Sequence, residues 1–111
     1  MDTELLKGTL SLLILSLLSR KPMYGYEIAA TVHRDTDGAF TWREGSLYPS
    51  LHKLAADGLI TGAWEEAESG RKRRYYHLTK KGRAALREKV NSWAELSRAV
   101  NCILEKSDGR A

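Results

Sequence analysis

The chain has 111 residues and a formal net charge of +4, one domain's worth of sequence, and at that size somewhat above ~60% of the unfolded surface is buried on folding, enough for one modest core. Hydrophobic residues at 42% and charged residues at 29% are ordinary for a soluble protein and exclude a disordered or fibrous chain. A single cysteine, Cys102, excludes an intramolecular disulfide and fits a reducing, cytoplasmic setting.

The first predicted element is a helix from Thr3 to Ser19, with leucines and Ile14 almost all round it. A helix apolar all round must be covered on more than one side. One small domain offers one core, so the second cover is expected from another copy of the chain, through Leu6, Leu10, Leu13 and Leu17. Gly8, Ser11 and Ser16 permit close approach. The run Leu10 to Leu18 does not read as a signal peptide or a membrane span: only Lys7 precedes it as a cation, no small-x-small site follows, and a span takes ~20 apolar residues. No membrane partner is expected.

A second helix is expected to begin at Met23-Tyr24-Gly25-Tyr26-Glu27, with Ile28, Ala29 and Val32 inward. The polar turn DTDGAFTWRE leads out of it, with Phe40 and Trp42 packed beneath the next helix. That next helix is EGSLYPSLHKLAADGLI, Glu44 to Ile60, where Ser46 reads as the N-cap, Pro49 as a first-turn residue and Gly58 as the stop. At 100° per residue Leu47, Leu51, Leu54 and Ala55 share an inner face. Tyr48, Pro49, His52, Lys53 and Ala56 fall outside, a face without a carboxylate run that suits a DNA major groove; water alone is the alternative occupant. Tyr48 and His52 would approach base edges, and Ser46 and Lys53 the backbone or adjacent bases. Two helices joined by a turn, the second with this polar face, form a helix-turn-helix.

After Gly58 the pattern becomes extended. Leu59 to Glu65 and Lys72 to Leu78 read as strands joined by a turn at Ser69-Gly70. The far limb carries Arg71, Lys72, Arg73 and Arg74, then Lys80, Lys81 and Arg83, with no acid between Ser69 and Arg87. Such a cluster beside a helix-turn-helix is the electrostatic footprint of a wing that contacts phosphates or the minor groove. A strand whose charges are balanced by Glu65, Glu66 and Glu68 is the alternative.

Thr79 caps a final helix from about Lys80 to Lys106, followed by a short frayed tail, Ser107 to Ala111. Its apolar residues Leu86, Val90, Trp93, Leu96, Val100, Ile103 and Leu104 recur at three- and four-residue spacing. At 1.5 Å per residue it runs ~40 Å, longer than the domain before it is wide, so its far half protrudes as an interface. A homodimer joined through the first and last helices follows, with Val90, Trp93, Leu96, Val100, Ile103 and Leu104 in the seam. Catalysis is not expected: His33, His52 and His77 have no metal spacing with one another or with Cys102, and no phosphate loop or nucleophile motif is present. No metal or cofactor is implied. Cys102 reads as a packed small hydrophobe, with a redox switch as the alternative.

Four pieces together resemble the PadR family of bacterial transcriptional regulators over nearly the whole chain: YGYEI at Tyr24 to Ile28, the segment Glu44 to Ile60, GRKRRYYHLTKKG at Gly70 to Gly82, and the tryptophan-led seam Trp93 to Leu104. The resemblance implies a winged helix-turn-helix dimer that usually represses transcription and often releases its two-fold-related operator on binding a small molecule. Carried over by position, the helix after Glu44 resembles the recognition helix and the Gly70 turn the wing. With one helix after the wing, the chain is similar to the family's shorter branch, which has no separate ligand domain. A flat aromatic effector is therefore expected at the dimer centre near Trp93, lined by Leu86, Val90 and Leu96 with Asn91 and Glu95 as polar contacts; the alternative is that Trp93 only fills the interface.

The expected fold is thus mainly α, of α+β type: a winged helix-turn-helix domain over residues 1–79, a dimerisation helix over 80–106 and a tail over 107–111. The rival function is a winged-helix adaptor that binds protein and not DNA, which would have no need of the Arg71 to Arg74 run.

Overall fold

The computed structural model describes residues 9–108. The expected helix start at Thr3, the interface roles of Leu6 and Gly8 and the last three residues of the tail lie outside the described residues. Within them, four helices accompany one three-stranded antiparallel sheet.

Helix α1, Leu10–Leu18, is the centre of the domain and not its edge. It packs on the second, third and last helices and on the central strand, and Leu10, Ile14, Leu15, Leu17 and Leu18 are all buried within the single chain. Leu10 and Leu17, expected on a face awaiting a second copy, are thus already covered within the single chain. A helix apolar all round can be enclosed by one small domain when four other elements lean on it. Leu12 and Leu13 stay half-exposed.

Met23-Tyr24, expected to open the second helix, form instead a two-residue strand, β1. The backbone at Tyr24 is extended, φ −93° and ψ 166°, and helix α2, Gly25–Asp35, starts one residue later. Ile28, Thr31 and Val32 face the core. Two strand residues between a proline and a glycine leave no periodicity to read; they pair because the central strand has a free edge beside them.

Helix α3, Glu44–Ala56, begins two residues before the expected cap. Arg43, extended at φ −103° and ψ 157°, is its N-cap, and Glu44 lies in the first turn, where a carboxylate suits the helix dipole. Ser46 is therefore inside the first turn and does not cap. Its carbonyl accepts from the Ser50 hydroxyl at 3.2 Å. Pro49 lies in the helix proper and not in its first turn, so it withholds the N–H that would have met the Gly45 carbonyl. Leu47, Leu51 and Leu54 are buried and Ala55 half-buried, as the periodicity requires, over buried Trp42 and half-buried Phe40. At the other end Gly58, φ +77°, donates to the Ala55 carbonyl and Leu59 to that of Leu54, both at 3.0 Å, the paired bonds of a Schellman stop.

Strands β2, Ile60–Glu66, and β3, Lys72–Leu78, pair from Ile60 opposite Leu78 to Glu66 opposite Lys72. β1 joins the far side of β3, with Met23 opposite Tyr76 and Tyr24 opposite Tyr75. The order β1-β3-β2 leaves β2 at an edge. Gly70, φ +83°, makes the turn with its N–H on the Ala67 carbonyl at 2.8 Å.

Helix α4, Lys80–Ser107, is anchored by a compact knot of hydrogen bonds. The Thr79 hydroxyl accepts from the Gly82 N–H at 3.0 Å and reaches the Gly58 and Leu59 carbonyls at 2.7 and 3.0 Å. Lys81 Nζ donates to the Asp57 carbonyl at 2.9 Å. From there α4 leaves the body: the radius of gyration is 16.1 Å, against ~13 Å for a compact chain of this length. Ser107, expected in the tail, is still helical. Leu86 packs against the core, whereas Val90, Trp93, Leu96, Val100, Ile103 and Leu104 are exposed at 46% or more. Cys102 is exposed as well, so within the single chain it is not the packed hydrophobe that its sequence suggests. No helix among the described residues is long and apolar enough to cross a membrane.

Candidate nucleic-acid interface

α3 presents Ser46, Tyr48, Pro49, His52 and Lys53 outward, all exposed. Tyr48 is less free than its neighbours. A Cβ placed on Gly25 would stand 2.9 Å from the Tyr48 hydroxyl and 3.1 Å from its ring, so the phenol lies over the first residue of α2 and is held by it. The glycine of the YGYEI segment thus sets where the Tyr48 ring can rest.

The hairpin brings its cations to the same side. Tyr48 and His52 line a groove of about 360 Å³ with Arg71, Lys72, Arg73 and Arg74, together with Tyr24, Gly25, Tyr26, Trp64 and Tyr76. Of the nine sequence-predicted contacts, six therefore share one concave surface; Ser46, Pro49 and Lys53 lie on α3 beyond it. Lys53 leans toward Asp57 at 3.9 Å, an exposed i, i+4 pair worth a few tenths of a kcal/mol.

Charge placement separates structural cations from available ones. Arg20 bonds Asp35 at 2.6 Å and Lys21 bonds Glu27 at 2.9 Å, tying the turn after α1 to α2. The Arg20 guanidinium holds the Asp35 carboxyl below its ordinary range, and Glu27 raises Lys21. The wing differs. Glu65 stands opposite Arg73 and Glu66 opposite Lys72 in the ladder, yet Arg71, Lys72, Arg73 and Arg74 appear in none of the ion pairs formed among the described residues. Glu65 pairs with His77 instead, at 2.5 Å. Arg73 lies over the Tyr24 ring at 4.4 Å, in an aromatic corner closed by an edge-on Tyr24–Tyr75 contact. Glu65, Glu66 and Glu68 thus form no direct ion pair with these four cations among the described residues. Four cations, two of them over ring faces, without an ion pair to a carboxylate among the described residues, suit an external polyanion.

Of the residues expected around an effector, only Trp93 and Leu96 come together in one groove of the single chain. Trp93 and Leu96 line a groove of about 270 Å³ with Thr9, Leu12, Lys89 and Ser92, between α1 and α4. Leu86 is not there, because it sits two turns nearer the body and packs on the core. Val90, Asn91 and Glu95 do not line this groove either. Leu12 and Lys89 were missed from sequence, since neither falls in the seam's spacing.

Tyr24, Gly25, Tyr26, Trp64 and Tyr76 are the groove residues that residue-by-residue reasoning missed. Strand alternation carried a signal for Trp64, which stands opposite Arg74. Residues 14–88 match the sequence pattern of the Transcriptional regulator PadR-like family. An uncharacterised protein of Lysinibacillus sphaericus is 32% identical over 103 residues, 93% of this chain and 94% of that one. The transcriptional regulator Rv3488 of Mycobacterium tuberculosis is 48% identical over 56 residues, half of each chain. Among solved structures, the PadR-like transcriptional regulator from Bacillus cereus superimposes with a TM-score of 0.81 at 36% identity, covering 92% of this chain and 97% of that one.

Proposed function

The chain belongs to the PadR-like family of transcriptional regulators, and from that premise we infer that it is a sequence-specific repressor that binds two-fold-related duplex DNA as a homodimer in the cytoplasm and responds to a small aromatic effector. Members of the family are transcriptional regulators and not enzymes. The observation that carries the DNA-binding part is the shared groove, in which the outer face of α3 meets four wing cations that have no carboxylate partner. In this reading Tyr48 and His52 approach base edges, Ser46, Pro49 and Lys53 flank them along α3, and Arg71, Lys72, Arg73 and Arg74 hold phosphates. The two classes of contact fail differently. Arg71→Ala should weaken binding to every duplex and reduce the log–log salt slope by roughly one. Tyr48→Ala should chiefly erode the preference for a selected duplex over an unrelated one, by about 1–3 kcal/mol. Fluorescence anisotropy across a salt series checks both. Equal affinity of the wild type for every duplex, or wing variants with the wild-type slope, would count against the reading.

Support for the dimer comes from the α4 seam, whose six exposed apolar residues would be an aggregation hazard uncovered. The effector reading puts a flat molecule between the two copies of Trp93, with Leu96 beside it. Two indole faces across an interface stack on an aromatic ring and attract a cation. Such a ligand shifts the protein off DNA only if it favours one arrangement of the two halves. Trp93→Ala should still bind the duplex but release it only at an effector concentration raised by roughly tenfold or more, the loss of both stacking faces. Release at the wild-type concentration of planar aromatic drugs or phenolic acids would put the site elsewhere.

A further inference from the structure

Trp64 is an aromatic to which the reading above gives no role. It is 68% exposed, whereas large aromatics are ordinarily highly buried. Its strand is an edge of the sheet, and an uncovered apolar residue on an edge strand invites unwanted pairing unless something occupies it. The ladder sets Trp64 opposite Arg74 and Gly62 opposite Tyr76. Alternation therefore gives Trp64 the same sheet face as buried Tyr76, and it lines the groove that Tyr48, His52 and the wing cations share. Nor does its cross-strand arginine cover it. The Arg74 guanidinium leans across Gly62, where a Cβ would stand 2.7 Å from Nε, and it lies 6.0 Å from the Tyr76 ring.

The result is an apolar plate ringed by cations, carrying one N–H donor and no acceptor. A duplex backbone matches each part, since it alternates apolar deoxyribose edges with anionic acceptor oxygens. We propose that Trp64 is a further DNA contact: its ring packs on a deoxyribose at the edge of the minor groove, next to the phosphate that Arg74 holds, and its Nε1–H donates to that backbone. This rests on the DNA-binding reading. A contact to sugar and phosphate positions the wing without reading sequence. It also carries no charge, so it releases no counterion of its own.

Those two properties give the contact a signature that neither an arginine nor a base-reading tyrosine shares. The probes are a duplex enriched from a random pool by the wild-type protein and an unrelated duplex of equal length, each titrated across a salt series. Trp64→Ala is expected to bind both about tenfold more weakly, with the wild-type salt slope. Trp64→Phe, which keeps a ring and loses the donor, is expected to fall between, and the change in tryptophan emission on adding DNA should disappear in it. Wild-type affinity in Trp64→Ala, a flattened slope, or a loss confined to the enriched duplex would each overturn the proposal. If the wild type binds neither duplex, the DNA-binding reading itself falls.

Discussion

Leu96→Glu is expected to leave the winged domain folded and to reduce the proposed dimer to monomers. The residue is 56% exposed and lies outside the core cluster, so the single chain has nothing to lose there. In a two-fold dimer each copy contributes the same patch, and the substitution places two carboxylates in one apolar seam. Even after relaxation each costs several kcal/mol without a partner. Dimer affinity should therefore fall by roughly 10³-fold or more. Sedimentation velocity at tens of micromolar separates the outcomes: wild type as a dimer and Leu96→Glu as a monomer with unchanged near-ultraviolet circular dichroism. A well-folded wild-type monomer, or a variant that still dimerises, would refute the interface.

Gly82→Ala is expected to cost more stability than any other single-methyl change in the hairpin or helix α4. On helix propensity alone alanine would be favoured by about 1 kcal/mol. Here a Cβ would stand 2.0 Å from the Leu59 carbonyl oxygen and 2.7 Å from Leu78 Cδ1. The oxygen cannot retreat cheaply, because the Thr79 N–H and hydroxyl both bond it, at 3.1 and 3.0 Å. Clash with fixed backbone outweighs propensity, and a net loss of ~2 kcal/mol or more lowers the melting temperature by roughly 10 °C. Thermal denaturation at matched protein concentration checks this, since dimerisation makes melting concentration-dependent. A melting temperature equal to wild type would mean that α4 can shift away from Leu59 freely.

The two elements least well read from sequence explain what a single chain's pattern can carry. α3's inner face, its glycine stop and both hairpin strands follow from spacing and turn chemistry alone, and they hold to within a residue or two. The start of α3 does not, because Ser46 is a good capping residue by type while Arg43 takes that place by backbone conformation. Local preference favours the serine, whereas the helix starts after the extended backbone at Arg43, with Trp42 and Leu47 buried to either side of it. In the same way an all-round apolar α1 could mean a second chain or a central position, and only the placement of four neighbours decides between them. The groove was legible as two separate sets, the outer face of α3 and the basic limb. Its floor was not. Gly25 beneath Tyr48 and Gly62 beneath Arg74 are close approaches between distant segments, which leave no mark on either segment's own periodicity.

The knot at Thr79 has a mechanical consequence. Asp57, Gly58 and Leu59, which end α3, are bonded directly to Thr79 and Lys81, which begin α4. The last turn of one helix is thereby riveted to the root of the other, and α4 becomes a lever whose fulcrum lies beside α3. Its 28 residues make an arm of ~42 Å. A tilt of about 5° between the two arms of a dimer sweeps a winged head through roughly 4 Å over that length, comparable to the ~3.4 Å rise of one base pair of duplex. In the proposed dimer the spacing of the two winged heads would be geared to the angle at the far end of the arms, and the knot is the part that must not slip.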